Sequence, residues 1–235
     1  SPIVANRLVA YLKMFYNSFL KKGQSNPCKI KKNKLFKEKE YTDFLSLPEF
    51  YRMINNAFRI DARSGRLLKS WYRDNALNPV TCLLIAFQLL TGRRTRSEAS
   101  NIQWTWIKDN RLFLPKTKTS KFDTPTVFGL PPKALELLKC IQNEKEIMYS
   151  PGPGNKDWFR NRFSFPMGDE RNKYVFPSRD FNRKTAHGYG KTPYTVDVRS
   201  TWLKLLKLSG IERHLKHYAT RHTVASYILE TRGDL

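Results

Sequence analysis

Apolar residues recur along this chain mostly with a helical period. Leu8, Leu12, Phe15 and Phe19 succeed one another at spacings of four, three and four. They draw one apolar face on a helix from Ala5 to Lys22 that stops at Gly23. A single helix cannot bury such a face alone, so this one is expected to be the last helix of an N-terminal domain mostly absent from the chain. Ser46-Leu47-Pro48-Glu49 has the form of a capping box, with proline where a first turn tolerates it. Phe50, Met53, Ile54, Ala57 and Phe58 continue it as a helical face. A strongly apolar helix comes next, from Val80 to Leu90, and stops at Thr91-Gly92. The pattern then changes: Arg111-Leu-Phe-Leu114, a basic turn and Thr124-Pro-Thr-Val-Phe128 read as short strands. Helix resumes at Pro131-Pro132 through Leu135, Leu138 and Ile141. It returns near 195–208 through Val198, Trp202, Leu205 and Leu206, and finally from about Tyr218 to Glu230. Ser150 to Gly190 is rich in Gly, Pro, Asn and Arg and holds little regular structure apart from Tyr174-Val-Phe176. No internal repeat is present. The predicted fold class is mainly α with a small antiparallel β-sheet.

Charge changes this picture most. Forty-three Lys and Arg stand against 20 acids, a net charge of +23 spread through all 235 residues. A folded protein this basic repels itself until a polyanion neutralises it, so nucleic acid or an anionic membrane is the expected partner. The segment from Cys28 to Glu40 carries six lysines against two glutamates without helical period. It reads as an extended linker whose Lys29, Lys31, Lys32 and Lys34 either lie along phosphates or serve as a solvated spacer. The expected organisation is therefore a helix belonging to another domain over 1–27, a basic linker over 28–40, and a main domain over 41–235. No apolar run approaches the length of a membrane span, and Ser1-Pro2-Ile3 does not open a secretory leader. Cys28, Cys82 and Cys140 are an odd count without CxxC spacing. They read as reduced thiols in a cytoplasmic or nuclear protein, with neither disulfide nor zinc.

Four segments, in this order, resemble the tyrosine recombinase (phage-type integrase) family. Ala5-Asn6-Arg7-Leu8 through Asn26-Pro27 is similar to the end of that family's core-binding domain. Thr91-Gly-Arg-Arg-Thr-Arg-Ser-Glu98 with Ile102-Gln-Trp104 resembles the segment that carries the first catalytic arginine. Counting from Gly92 puts that arginine at Arg94, whereas counting back from Glu98 and Trp104 puts it at Thr95. The chain has one extra residue between glycine and glutamate, so Arg94 is the candidate, with Arg96 and Arg93 as alternatives. Any of the three could be a generic phosphate contact. Leu112 through Lys121 resembles the hairpin that delivers a catalytic lysine, at Lys118 in this register, with Lys116 and Lys121 close by. Tyr218-Ala-Thr-Arg-His-Thr-Val-Ala-Ser226 resembles the second box. It places the second arginine at Arg221, the next-door histidine at His222, and Tyr218 where most members have histidine. His217 is one position out of register; on a continuous helix it would point about 100° away from Tyr218.

The resemblance implies metal-free and cofactor-free breakage and rejoining of DNA through a 3′-phosphotyrosine. Two guanidinium forks would neutralise the non-bridging oxygens in the transition state. A lysine would protonate the departing 5′ oxygen, and a tyrosine would hold the 3′ phosphate. Glu98 would buttress the arginines, or else be an ordinary surface glutamate in the first turns of a helix. With a reference pKa of about 10, Tyr218 is a poor base but a good hydrogen-bond donor to phosphate. The resemblance also implies double-stranded DNA as partner and a homo-oligomer, a tetramer, on recombination sites. The family's nucleophile would lie downstream of Leu235, so none of the tyrosines here, Tyr227 included, matches it and this chain alone is expected to bind DNA without cutting it. Two rivals stay open: a non-catalytic DNA-binding or regulatory protein, and a type IB topoisomerase-like enzyme.

Overall fold

Every residue from Pro79 to Leu89 is buried, and the larger part of the chain is built around that one helix. In the structure, a computed structural model, residues 2–20, 24–28, 44–115, 125–146, 159, 162–185 and 188–232 are described. Of these, the side chains of 2–4, 7, 96, 185, 188, 189 and 228–232 are not. The chain divides into two compact units, Ser1–Thr42 and Asp43–Leu235.

The first unit holds α1 (Pro2–Phe19). It starts earlier than its apolar face requires, because proline suits a first helical turn. It also ends before Lys22. The Asn26 amide donates to Lys13 O at 2.8 Å and to Asn17 Oδ1 at 2.6 Å, turning this segment back onto the helix. Leu8, Leu12, Phe15 and Phe19 are all exposed. Lys29, Lys31, Lys32 and Lys34 lie outside the described residues.

In the second unit, α2 (Leu47–Ala57) starts as the capping box predicts, with the Ser46 amide donating to Glu49 Oε2 at 2.8 Å. A short α3 (Lys69–Asp74), which no apolar period marks, precedes α4 (Pro79–Thr91). Asn78 caps α4 by accepting from the Val80 amide at 3.1 Å. Helices α2, α5 (Pro132–Glu146), α6 (Arg199–Leu208) and α7 (Ala219–Arg232) all pack on α4, which is why α4 is apolar on every side. The strands β1 (Ile107–Lys108), β2 (Arg111–Leu114) and β3 (Thr126–Gly129) form an antiparallel sheet in that order. Leu112 faces Phe128 across β2 and β3, and Leu112 and Leu114 turn into the core. The predicted strand at Thr124 therefore begins at Thr126 among the described residues.

The Gly- and Pro-rich region differs from expectation. Tyr174 and Pro177 make only single bridges, to Gln103 and Tyr194, while β4 (Lys184–Thr185) and β5 (Gly188–Tyr189) form a small hairpin. The predicted mainly α fold with a small antiparallel sheet is the fold observed. Among the described residues no helix is long and apolar enough to cross a membrane.

Candidate functional site

The first arginine segment begins where α4 ends. Gly92 has φ 65°, a left-handed conformation that stops the helix, and its amide donates to Gln88 O at 2.8 Å. A β-carbon there would meet the Val224 side chain of α7 at 3.2 Å, so the absence of a side chain also lets α7 approach. After Arg93 and Arg94 the backbone makes a π-helical turn, Thr95–Ala99. The Ala99 amide donates to Arg94 O at 2.9 Å and the Ser100 amide to Thr95 O at 2.8 Å. Such a turn takes up one residue more than an α-helical turn. It leaves Glu98 within reach of the Arg94 amide and side chain.

Glu98, only 4% exposed, is the hub of the site. Its carboxylate accepts from the Arg94 amide at 3.2 Å and from Arg94 Nη1 at 3.1 Å. Arg93 Nη1 lies 3.9 Å away and Arg221 Nη1, from α7, lies 3.8 Å away. One buried carboxylate thus gathers guanidiniums from two segments far apart in sequence. The three differ in direction. Arg93 donates to Thr91 O at 3.1 Å and stacks at 3.7 Å on Phe128 of β3. Burial pushes its guanidinium below the ordinary value; Glu98 opposes that shift, and Arg221 and Arg94 add to it. Arg94 instead lines a cavity of about 650 Å³.

That cavity has an apolar wall from Val196, Val198, Trp202 and Leu203, and its other side is the turn before α7 with His214, His217 and Tyr218. The turn is tight: the Ala219, Thr220 and Arg221 amides donate to Lys216, His217 and Tyr218 carbonyls at 2.9, 3.1 and 3.1 Å. It is also pinned. Trp202 Nε1 donates to Leu215 O at 2.7 Å, and Arg213 makes an ion pair with Glu49 at the start of α2. The Arg213 guanidinium holds the Glu49 carboxyl down at about 2. Tyr218 is 44% exposed, with its ring edge-to-face on His222 at 5.0 Å. An anion entering this cavity would meet Arg94 and Tyr218, donors suited to phosphate oxygens, while Arg221, which shares Glu98 with Arg94, is not among the residues that line it.

Neither a protein-family model nor the sequence of a curated protein matches the chain. Solved structures of site-specific recombinases do resemble it in fold. XerH bound to its difH substrate in a pre-cleavage complex aligns with a TM-score of 0.49 and 13% identity, over 99% of this chain and 54% of that one. The XerH post-cleavage complex on palindromic difH gives 0.48 and 15%, over 81% and 43%. XerA recombinase gives 0.46 and 16%, over 100% and 64%. This chain therefore spans less than two thirds of the length of each.

The structure brings Arg94, Glu98 and Arg221 together and sets Tyr218 and Arg94 on one cavity. Arg93 points to the sheet and away from that cavity. The Arg96 side chain, and Lys116, Lys118 and Lys121, lie outside the described residues. One expectation is corrected. An angle of 100° between His217 and Tyr218 assumes that both ride on the helix, yet α7 begins only at Ala219. Both residues sit in the preceding turn, and both line the cavity. His217 Nε2 lies 2.8 Å from Thr95 Oγ1. The feature responsible, the tight turn before α7, has no hydrophobic period to betray it. Tyr227, by contrast, is a packing residue: its hydroxyl donates to Leu45 O at 3.0 Å and its ring packs on Phe50. No group of three His, Cys, Asp or Glu side chains suited to a metal occurs among the described residues.

Proposed function

We propose that this chain carries the phosphate-binding half of a tyrosine-type DNA recombinase site, acting on double-stranded DNA without metal or cofactor. The observation that supports this most is the gathering of Arg94 and Arg221 by the single buried carboxylate Glu98 beside a cavity. Breaking a phosphodiester without a metal needs fixed positive charge at the non-bridging oxygens, already in place when charge develops there. Arg94 and Arg221 would supply it, and Glu98 would hold their forks. Tyr218 would donate its hydroxyl to a phosphate oxygen. Lys118, from the basic stretch of sequence between β2 and β3, would protonate the leaving 5′ oxygen. Neither Tyr218 nor Tyr227 is assigned as nucleophile: Tyr218 stands beside the arginines, and Tyr227 is committed to Leu45 O. The basic linker, with Lys29, Lys31, Lys32 and Lys34, would track the duplex backbone, and protomers would assemble as a tetramer on paired sites.

The test is covalent capture of the full-length protein on a nicked suicide duplex, read on a denaturing gel. A protein–DNA adduct is expected from wild type. Arg94→Ala and Arg221→Ala should each abolish it while leaving duplex affinity within about tenfold, roughly 1.4 kcal/mol. Full adduct formation by Arg221→Ala would overturn the assignment. Adduct formation that survives Arg94→Ala but not Arg96→Ala would move the first arginine two positions along. Duplex affinity that does not change between 50 and 300 mM salt would remove DNA as the partner, because each neutralised phosphate contributes about 0.9 to the slope of log K against log salt.

A further inference from the structure

Beside Arg94 runs a chain of three polar side chains, two of them buried and the third, His217, half-buried on the cavity, that the phosphate-site reading does not use. Gln88, on α4, is 1% exposed, and Thr95, first residue of the π-turn, is 8% exposed. Gln88 Nε2 donates to Thr95 Oγ1 at 2.6 Å, and Thr95 Oγ1 lies 2.8 Å from His217 Nε2. Gln88 Oε1 is buried and has no partner. A hydroxyl carries a single proton. A hydroxyl also has two lone pairs, so with the Gln88 amide donating to Thr95 the bridge to His217 can run either way; the clasp proposed below requires the hydroxyl proton to be donated to Nε2 of a neutral His217. The ring's own proton then sits on Nδ1.

The chain joins two segments that Glu98 links on the other side. Thr95 comes directly after Arg94 in sequence, and His217 directly precedes Tyr218. The bond between them therefore fixes the spacing of the two cavity groups from behind. The arrangement has a local cost: a carboxamide oxygen is left unpaired in the core. An apolar residue of the same shape at 88 would avoid that cost, so packing alone does not account for a glutamine there.

We propose that Gln88, Thr95 and His217 are positioning residues, a directed clasp in which Gln88 makes Thr95 the donor to His217 and so sets Arg94 against Tyr218. This rests on the functional reading above but has its own observable. Other groups around the same cavity are Asp197, Arg199, His214 and Lys216. None of them takes part in either bond of the clasp.

The first measurement is the ¹⁵N spectrum of the histidine-labelled full chain above the His217 titration, which separates the two neutral tautomers. His217 should carry its proton on Nδ1. Thr95→Val, nearly the same shape without the hydroxyl, should lose that preference, and Thr95→Ser should restore it. Gln88→Met should lose it too, although Thr95 and His217 remain. The second measurement is single-turnover adduct formation by the full-length protein. Thr95→Val should slow it about a hundredfold, the scale of a displacement of about 1 Å in a reacting constellation, with duplex affinity within about tenfold and rescue in Thr95→Ser. A wild-type ring protonated at Nε2, or an unchanged tautomer in both Thr95→Val and Gln88→Met, overturns the clasp while leaving the recombinase reading intact. Wild-type speed in Thr95→Val overturns the positioning role alone. No adduct from wild type overturns the functional reading, and the positioning role with it.

Discussion

Replacing Glu98 by glutamine keeps the shape of the hub and removes its charge, and the consequences for stability and for anion binding should have opposite signs. In the native site three guanidiniums surround the carboxylate at 3.1, 3.8 and 3.9 Å. At such separations each attraction is about 4 kcal/mol for an effective dielectric constant of about 20. Desolvation of the carboxylate and repulsion among the arginines offset much of this sum. Removing one partner of a buried ion pair typically costs about 3–5 kcal/mol. The arginine side chains are 23%, 33% and 36% exposed, so water relieves part of the imbalance. Glutamine can also still accept from the Arg94 amide. A loss of about 2–3 kcal/mol is therefore expected for Glu98→Gln, and more for Glu98→Ala. In a domain this size that lowers the melting temperature by about 4–12 °C. The same change leaves three arginines without their counter-charge, so duplex affinity should hold or rise. Added duplex should then recover more melting temperature in the variant than in wild type. Urea melts and a duplex titration at fixed salt measure both sides. A Glu98→Gln protein as stable as wild type would refute the hub. So would a folded variant whose duplex affinity has dropped more than about tenfold, since the carboxylate would then be holding the anion site open in some other way.

Three further outcomes rest on particular contacts. Glu49 is held at about 2 against an ordinary 4.5, by its bonds to Arg213 above all. A carboxyl lowered on folding gives stability that is complete above about pH 4.5 and is lost as pH falls through about 2. Arg213 is half exposed, so the contribution is about 1–2 kcal/mol after screening; urea midpoints should fall over that window in wild type and much less in Arg213→Leu. Gly92→Ala meets both the left-handed φ of 65° and the Val224 side chain at 3.2 Å. It should lose about 1–3 kcal/mol, with partial recovery in Gly92→Ala/Val224→Ala, and thermal melts of the two would settle it. Tyr227→Phe should lose about 1 kcal/mol from the bond to Leu45 O and form covalent adduct at the wild-type rate in the full-length protein; loss of adduct there would make Tyr227 the nucleophile after all.

How much of the molecule can be read in advance depends on what kind of signal each feature leaves. The α2 face, the apolar α4 and the α5 to α7 positions are legible because burial on one or all sides of a helix writes itself as a period. The α4 stop is legible because Gly92 is a residue type that terminates helices. Helix α3 leaves no such trace, since among its residues only Tyr72 is buried. The β4–β5 hairpin has two residues per strand and is too short for alternation to register. The π-turn leaves no period in the sequence, because it is defined by backbone hydrogen bonds that no residue type dictates. Glu98 can be read as a buttress or as a surface acid, because the decision depends on Arg221, which reaches it only once α7 has packed against α4. His217 escapes for a related reason: a helical angle does not apply to a residue that lies in a turn.

A cluster of three arginines on one carboxylate also bears on why so basic a chain keeps an acid at its most basic point. If the arginines were there only for affinity, an acid among them would be a handicap, and free guanidiniums on flexible stems would attract a polyanion as well. Three guanidiniums against one carboxylate still leave the site positive, so attraction survives. What Glu98 adds is fixity: it is buried, it bonds the Arg94 backbone as well as the Arg94 side chain, and Gln88, Thr95 and His217 brace the same turn from behind. Charge that is already in position needs no reorganisation when negative charge grows on a reacting phosphate, and that reorganisation is the term by which a protein site can outdo water. A binding surface has little use for such bracing, whereas a site that must stabilise a transition state does. Under the proposed function, the restraint on Arg94 and on the turn that carries Tyr218 suits chemistry rather than mere retention of DNA. It also locates where the difference should be seen: in the rate of adduct formation rather than in duplex affinity.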